Sequence, residues 1–275
     1  MKKTDTSNNQ LVTYSNKFNE SLNISKLNPV EMNVVMTMFS YVKNNESASV
    51  ELTFSDLRKQ ANINYKIGDP EIESLVIGSL QKVGLGSIVF NTPGKFLMFS
   101  VFDYVEVDLK SKNIKFKLGE KFISYFNYLI EQYTSFSLLD FVNIKHKYAK
   151  NIYRILMQYK NTGHYEHNYA DFCYNVIGVP IDAKIKSLSY RYIEPSIKEL
   201  LELGLFTKLK VSYSRKDRKI DEIVFNFELA PFTRINKDDL VKDGNKVSDE
   251  EWKELLEDTM NPASENKDDS DDLPF

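Results

Sequence analysis

One order of local patterns occurs twice along this chain, and it limits the architecture more than any bulk property does. The order is helix, strand, helix, helix, β-hairpin. In the first copy Asn28 suits a helix cap, Pro29 the first helical position and Glu31 the third. Val35, Met38, Phe39 and Val42 then recur on one helical face. Val50 to Phe54 alternates like a strand, and Ser55 caps a helix running to about Asn62. Asp69-Pro70 opens a third helix, with Ile72, Leu75, Val76, Leu80 and Val83 in period before Gly84 and Gly86 stop it. Two β pairs follow, at 87–91 with 96–101 and at 105–109 with 114–118. A short strand at 10–14 precedes everything.

The second copy keeps the order without obvious sequence identity. A helix over 144–160 carries Tyr148, Ile152, Ile155, Leu156 and Tyr159 on one face and Lys147, Asn151, Arg154 and Gln158 on another. Asn168 caps a short helix closed by Gly178 and Pro180. Residues 187–203 form a helix interrupted by Pro195 and ended by Gly204. Alternating runs at 206–213 and 220–229 flank Ser214-Arg215-Lys216-Asp217-Arg218-Lys219, a link with four positive charges. The expected fold is α+β: two tandem winged-helix domains over 1–125 and 126–232, then an acidic, largely disordered tail over 233–275.

Composition matters once it is divided along the chain. Residues 1–110 hold 11 Lys/Arg and 12 Asp/Glu, residues 111–232 hold 19 and 13, and residues 233–275 hold 6 and 14. The middle block, at +6, suits a polyanionic partner, and the tail, at −8, would repel one. Aromatic residues make up 13%, enough to fill a core in each domain. No apolar run is long enough for a membrane span, and the polar first residues do not read as a secretory signal. A cytoplasmic protein without membrane partners is expected.

The residues offer no catalytic constellation. There is no phosphate-binding Gly-rich loop ending in Lys-Ser/Thr. A single cysteine, Cys173, excludes a disulfide framework or multi-cysteine zinc site, and it falls on the buried side of a short helix. His164 and His167 have the i, i+3 spacing that could ligate a metal on a helix, but they sit in a loop bounded by Gly163 with no cysteine near, and the spacing is wrong for a rolling-circle nickase. No enzyme activity, cofactor or metal is expected.

Nucleic-acid recognition fits better. The winged-helix order puts the segment that begins Lys186-Ser187-Leu188-Ser189-Tyr190-Arg191-Tyr192 where a recognition helix enters a major groove. Ser187 and Ser189 offer hydroxyls, Tyr190 a ring, and Arg191 a bidentate partner for guanine. Lys184, Lys186, the helix residues Lys147, Lys150 and Arg154, and the wing residues Arg215, Lys216, Arg218 and Lys219 complete the expected DNA-binding set. The equivalent helix of the first half begins with Asp69, Glu71 and Glu73, a poor surface for phosphate. The first domain is therefore expected to read DNA weakly and to serve in self-association as a dimer.

The run from Lys147 to Gly163 resembles the signature helix of the RepB-type, iteron-binding plasmid replication initiators. Tyr190 to Leu200, with Pro195 inside it, is similar to that family's recognition helix, and the helix start at Leu27–Glu31 sits where its first domain begins. The resemblance covers about residues 10–230. It implies an initiator that binds direct repeats in double-stranded origin DNA, helps open an AT-rich segment and recruits host replication proteins. The segment Tyr190-Arg191-Tyr192 is poorer in arginine than is usual in the family. A winged-helix transcriptional repressor would have the same fold.

The tail holds two further features. Ser248 and Glu251 form a capping box with Val247 and Trp252 as a hydrophobic staple, so a short helix near 248–258 would present Trp252, Leu255 and Leu256 to a partner. The run Asp268-Asp269-Ser270-Asp271-Asp272-Leu273-Pro274-Phe275 resembles the acidic tip of bacterial single-stranded-DNA-binding proteins. That likeness implies that Asp271, Asp272, Leu273, Pro274 and Phe275 dock host proteins that read such a tip.

Overall fold

Capping chemistry sets most of the element starts. In the computed structural model, which describes residues 10–22, 24–42, 49–83, 87–92, 95–126, 133–179, 188–217, 219–231, 241–242 and 245–246, strand β1 (Leu11–Ser15) turns directly into α1 (Asn16–Ser21). Ser15 makes that turn, its hydroxyl accepting from the Phe18 amide. Asn28 opens α2 (Pro29–Ser40) with a reciprocal box: its side-chain carbonyl accepts from the Glu31 amide, and the Glu31 carboxylate accepts from the Asn28 amide. Strand β2 (Val50–Thr53) runs into α3 (Phe54–Gln60), where Thr53 rather than Ser55 is the cap, accepting from the Asp56 amide. Helix α4 (Asp69–Lys82) starts at the Asp-Pro pair.

Strands β3 (Ser87–Thr92) and β4 (Lys95–Ser100) form their own antiparallel ribbon. Strands β5 (Phe102–Asp108) and β6 (Asn113–Leu118) pair with each other, and β2 adds to β6, giving the order β2-β6-β5. Three elements then appear that periodicity did not reveal: α5 (Glu120–Phe126), β7 (Tyr133–Ser137) and α6 (Leu138–Asn143). They repeat the strand–helix start seen at β1 and β2, with Ser137 capping through the Asp140 amide.

Helix α7 (Lys147–Gln158) begins the second winged helix. Strand β8 (His164–Asn168) follows, correcting the loop expected there. On a strand, residues three apart face opposite sides, so His164 and His167 cannot converge. Helix α8 (Tyr169–Phe172), capped by Asn168, widens into a π-helical turn at Cys173–Ile177 and stops at Gly178. Gly178 has φ +76°, and a Cβ there would lie 2.2 Å from Ser25 Cβ, so both backbone and packing demand glycine. A second π-helical turn, Ser189–Ile193, leads into α9 (Glu194–Glu202). Strands β9 (Phe206–Lys216) and β10 (Lys219–Leu229) extend the wing to within two residues of its tip, and the sheet order is β8-β10-β9.

The architecture is α+β, with two winged helices inside one compact unit spanning residues 1–229. Strand β1 crosses between the halves and pairs antiparallel with β7, Leu11 opposite Ser137 and Ser15 opposite Tyr133. One continuous hydrophobic core runs from Val12 to Phe227. At its centre the rings of Tyr14, Phe18, Phe39 and Phe126 pack with centroids 4.9–6.5 Å apart, mostly edge to face. Helix α2 departs from the one-sided pattern, since every residue from Glu31 to Ser40 is buried. It runs between elements of both halves, where Ser40 donates to the Thr37 carbonyl and Asn33 to the Ala61 carbonyl, while the Thr37 hydroxyl is buried without a partner among the described residues. The second unit, 230–275, contributes a small hairpin, Val241–Lys242 with Asn245–Lys246. Trp252, Leu255, Leu256 and the tip residues Asp271, Asp272, Leu273, Pro274 and Phe275 lie outside the described residues.

Candidate nucleic-acid interface

The recognition segment is built from a helix with one turn too wide. At Ser189–Ile193 the Glu194 amide donates to the Ser189 carbonyl, five residues back instead of four. Pro195 follows at the second position of α9, where its missing N–H costs little, and Ser196 donates its hydroxyl to the Tyr192 carbonyl at 2.5 Å. Ile193 and Leu200 are fully buried beneath this segment. Tyr190, 77% exposed, and Arg191, also exposed, project from it.

Two contacts fix the segment on either side of that exposed pair. Tyr192 packs its ring 4.4 Å from that of Tyr148 on α7. The Ser189 hydroxyl lies 2.5 Å from the Tyr213 hydroxyl on β9 and donates to a Glu194 carboxylate oxygen at 3.1 Å. Tyr213 stands edge to face with Tyr169, centroids 5.7 Å apart. Two residues further along β9 the exposed wing begins: Arg215 and Lys216, with Lys219 across the hairpin on β10. The structure thus brings Ser189, Tyr190, Arg191, Arg215, Lys216 and Lys219 to one end of the second half. Lys184, Lys186, Ser187 and Arg218 lie outside the described residues.

Helix α7 corrects the expected DNA-facing stripe. Lys150 and Arg154 are buried, 0% and 2% exposed, and neither can reach a phosphate. The Lys150 ammonium donates to Asn33 Oδ1 at 2.7 Å and to the Phe141 carbonyl, and sits 4.4 Å over the Phe141 ring. Burial lowers its pKa to about 7. The Arg154 guanidinium donates to the Asn19 carbonyl, to Asn19 Oδ1 at 2.5 Å and to the Leu22 carbonyl at 3.3 Å. Lys147 is half-buried, donating to the Ser25 carbonyl at 3.3 Å. The polar stripe of α7 therefore faces α1, α2 and the turn between them, whose oxygens accept from Lys147, Lys150 and the Arg154 guanidinium, while Arg154 Nε and Asn151 Oδ1 are buried without a partner among the described residues. Nothing in the local pattern distinguishes a cation facing water from one facing carbonyls 120 residues away.

On the first half, the acid at the start of α4 is paired. Asp69 accepts from Arg58 of α3 at 3.0 Å and lies 2.9 Å from Lys112 Nζ at the β5–β6 turn. Those two cations hold its carboxyl below the usual range. Glu71 stays exposed, as the acidic reading of this surface requires. Cys173 is buried and its thiol is pushed up to about 11, the environment of a core residue. Among the described residues no cluster of three or more metal-binding side chains occurs, and no helix is long and apolar enough to cross a membrane.

Residues 11–157 match the family model described as Initiator Replication protein, WH1. The chain belongs to this initiator replication protein family. The probable replication protein rep of Bifidobacterium longum (strain NCC 2705) is 27% identical over 221 residues, covering 80% of this chain and 73% of that protein. The fold is also that of a solved initiator: the crystal structure of Pi initiator protein in complex with iteron DNA aligns with TM-score 0.64 over 81% of this chain and 98% of that one, at 13% identity. For a replication initiator, Tyr213 and Glu194 are the residues that sequence reading overlooked at this surface. Strand alternation groups Tyr213 with Leu209 and Val211, so only its contact with Ser189 singles it out.

Proposed function

We propose that this chain initiates plasmid replication by binding repeated sites in double-stranded origin DNA, opening an adjacent AT-rich segment and gathering host replication proteins there. The observation that carries the reading is the exposed Tyr190–Arg191 pair on the π-helical turn, latched beside the basic wing of Arg215, Lys216 and Lys219. Arg191 reads a guanine edge, and the wing holds phosphates and sets register. The family match and the fold shared with an iteron-bound initiator support this use of the surface. In this reading the second half, residues 126–232, is the main DNA reader. The first half, whose α4 opens with acidic residues, mediates self-association. The tail supplies recruitment through Trp252, Leu255, Leu256 and the run Asp271 to Phe275.

The direct test is selection of duplexes from a randomised library with the full chain, followed by footprinting on the plasmid that encodes it. Recovery of one motif that recurs as direct repeats beside an AT-rich tract is the expected result. Recovery of no preferred motif would overturn the proposal.

A further inference from the structure

We infer that Ser189 and Tyr213 are a positioning pair that couples the recognition segment to the wing, so that base reading and phosphate binding act as one rigid surface. The inference rests on the DNA-binding reading above and assigns to Ser189 a role other than touching DNA. The protons decide the direction of the chain of bonds. Ser189 has one hydroxyl proton and donates it to Glu194. The hydroxyl of Tyr213, 2.5 Å away, must therefore be the donor to Ser189 Oγ. The result is a relay running Tyr213 to Ser189 to Glu194, joining β9, the π-helical turn and the first residue of α9.

Its placement is what gives the relay a function. Ser189 opens the widened turn, and Tyr190 and Arg191 follow it directly. Tyr213 is backed by the ring of Tyr169, so it cannot swing away from the segment without losing that packing. A π turn is a softer element than an α turn and needs outside support to hold one geometry. Tyr192 against Tyr148 supports its far end, and the relay supports its near end.

The test uses the full chain, a duplex selected from a randomised library, and a random duplex of equal length. Ser189→Ala, Tyr213→Phe and the double variant are compared across a salt series. Tyr213→Phe should weaken binding to the selected duplex about fivefold, the size of one lost hydrogen bond, Ser189→Ala at least as much, and both should leave the random duplex unaffected. The double variant should be no worse than Ser189→Ala alone, because the bond that Tyr213→Phe removes is already lost there. The slope of log K against log salt should not change, since no phosphate contact is lost. Ser189→Thr, which keeps the hydroxyl, should restore the preference. If Ser189→Ala weakens both duplexes equally and flattens the salt slope, Ser189 contacts phosphate and the inference is overturned. It is equally overturned if Tyr213→Phe is silent, or if the two losses add. Should the wild-type chain show no preference between duplexes, the proposed function fails instead, a result distinct from any of these.

Discussion

Lys150 on α7 donates to Asn33 on α2 at 2.7 Å, across 117 positions of sequence. Neither residue is exposed, and Asn33 in turn donates to the Ala61 carbonyl, so the bond ties the second half of the unit to the centre of the first. Together with Arg154 and Asn19 it explains why 1–229 is one unit although its elements fall into two winged helices.

Stability should depend on pH through Lys150. Its pKa in the folded chain is about 7, against about 10.4 when unfolded. Between those values the unfolded chain holds a proton that the folded chain has released, so stability rises with pH across that window. The slope is at most about 1.4 kcal/mol per pH unit. Below about pH 7 both states are charged and the cost of burial is fully present. Urea denaturation at about pH 6, 8 and 9.5 measures this, and Lys150→Met should remove the rise. A wild-type profile that is flat over this range would contradict it.

Arg154 should matter for folding and not for DNA. Arg154→Met leaves the oxygens of Asn19 and Leu22 without their donor inside the core, a loss of about 2–4 kcal/mol. Denaturant midpoints should fall accordingly. The salt dependence of DNA binding, measured on the folded fraction, should stay as in the wild type. Unchanged stability with a salt slope smaller by about one would return Arg154 to the phosphate-binding set.

Arg191 and the wing should separate by what they do to sequence preference. Arg191→Ala is expected to cost about 1–3 kcal/mol on a selected duplex and to relax preference at one base pair. Changing Arg215 and Lys216 together to alanine should weaken binding to every duplex and reduce the salt slope by about two. Competition gel shifts with selected and random DNA distinguish the two patterns. Equal losses on both duplexes for Arg191→Ala would mean that the recognition segment is misassigned.

The tail should be separable from DNA binding. Removing Leu273, Pro274 and Phe275 should leave repeat binding intact and abolish capture of host replication proteins, with plasmid copy number falling. Capture and copy number that survive the truncation would leave those residues as a solvating segment.

Much of the fold could be read directly where a local signal sets it. The Asn28-Pro29-Glu31 start, the Asn168 cap and the Gly178 and Gly204 stops are side-chain or glycine chemistry within a few residues, and all are found in place. The elements that escaped, α5, β7 and α6, are seven, five and six residues long, too short to develop a period. The site divided along the same line. Tyr190 and Arg191 follow from their place in the element order. The burial of Lys150 and Arg154 depends on oxygens of Asn19, Leu22, Asn33 and Phe141, and no window of sequence around α7 contains the first three. The Ser189–Tyr213 contact is likewise long-range, joining residues 24 apart on a helix and a strand.

The pairing of β1 with β7 also sets the order of events during synthesis. Leu11 leaves the ribosome 126 residues before its partner Ser137. At bacterial elongation rates that interval is about 6–25 s. Throughout it Val12, Tyr14 and Phe18, all fully buried in the finished molecule, lack the strand that will pair beside them. The nascent N-terminus is therefore a client for whatever shields apolar chain at the exit tunnel, and cells short of such shielding should make less initiator and carry fewer plasmids.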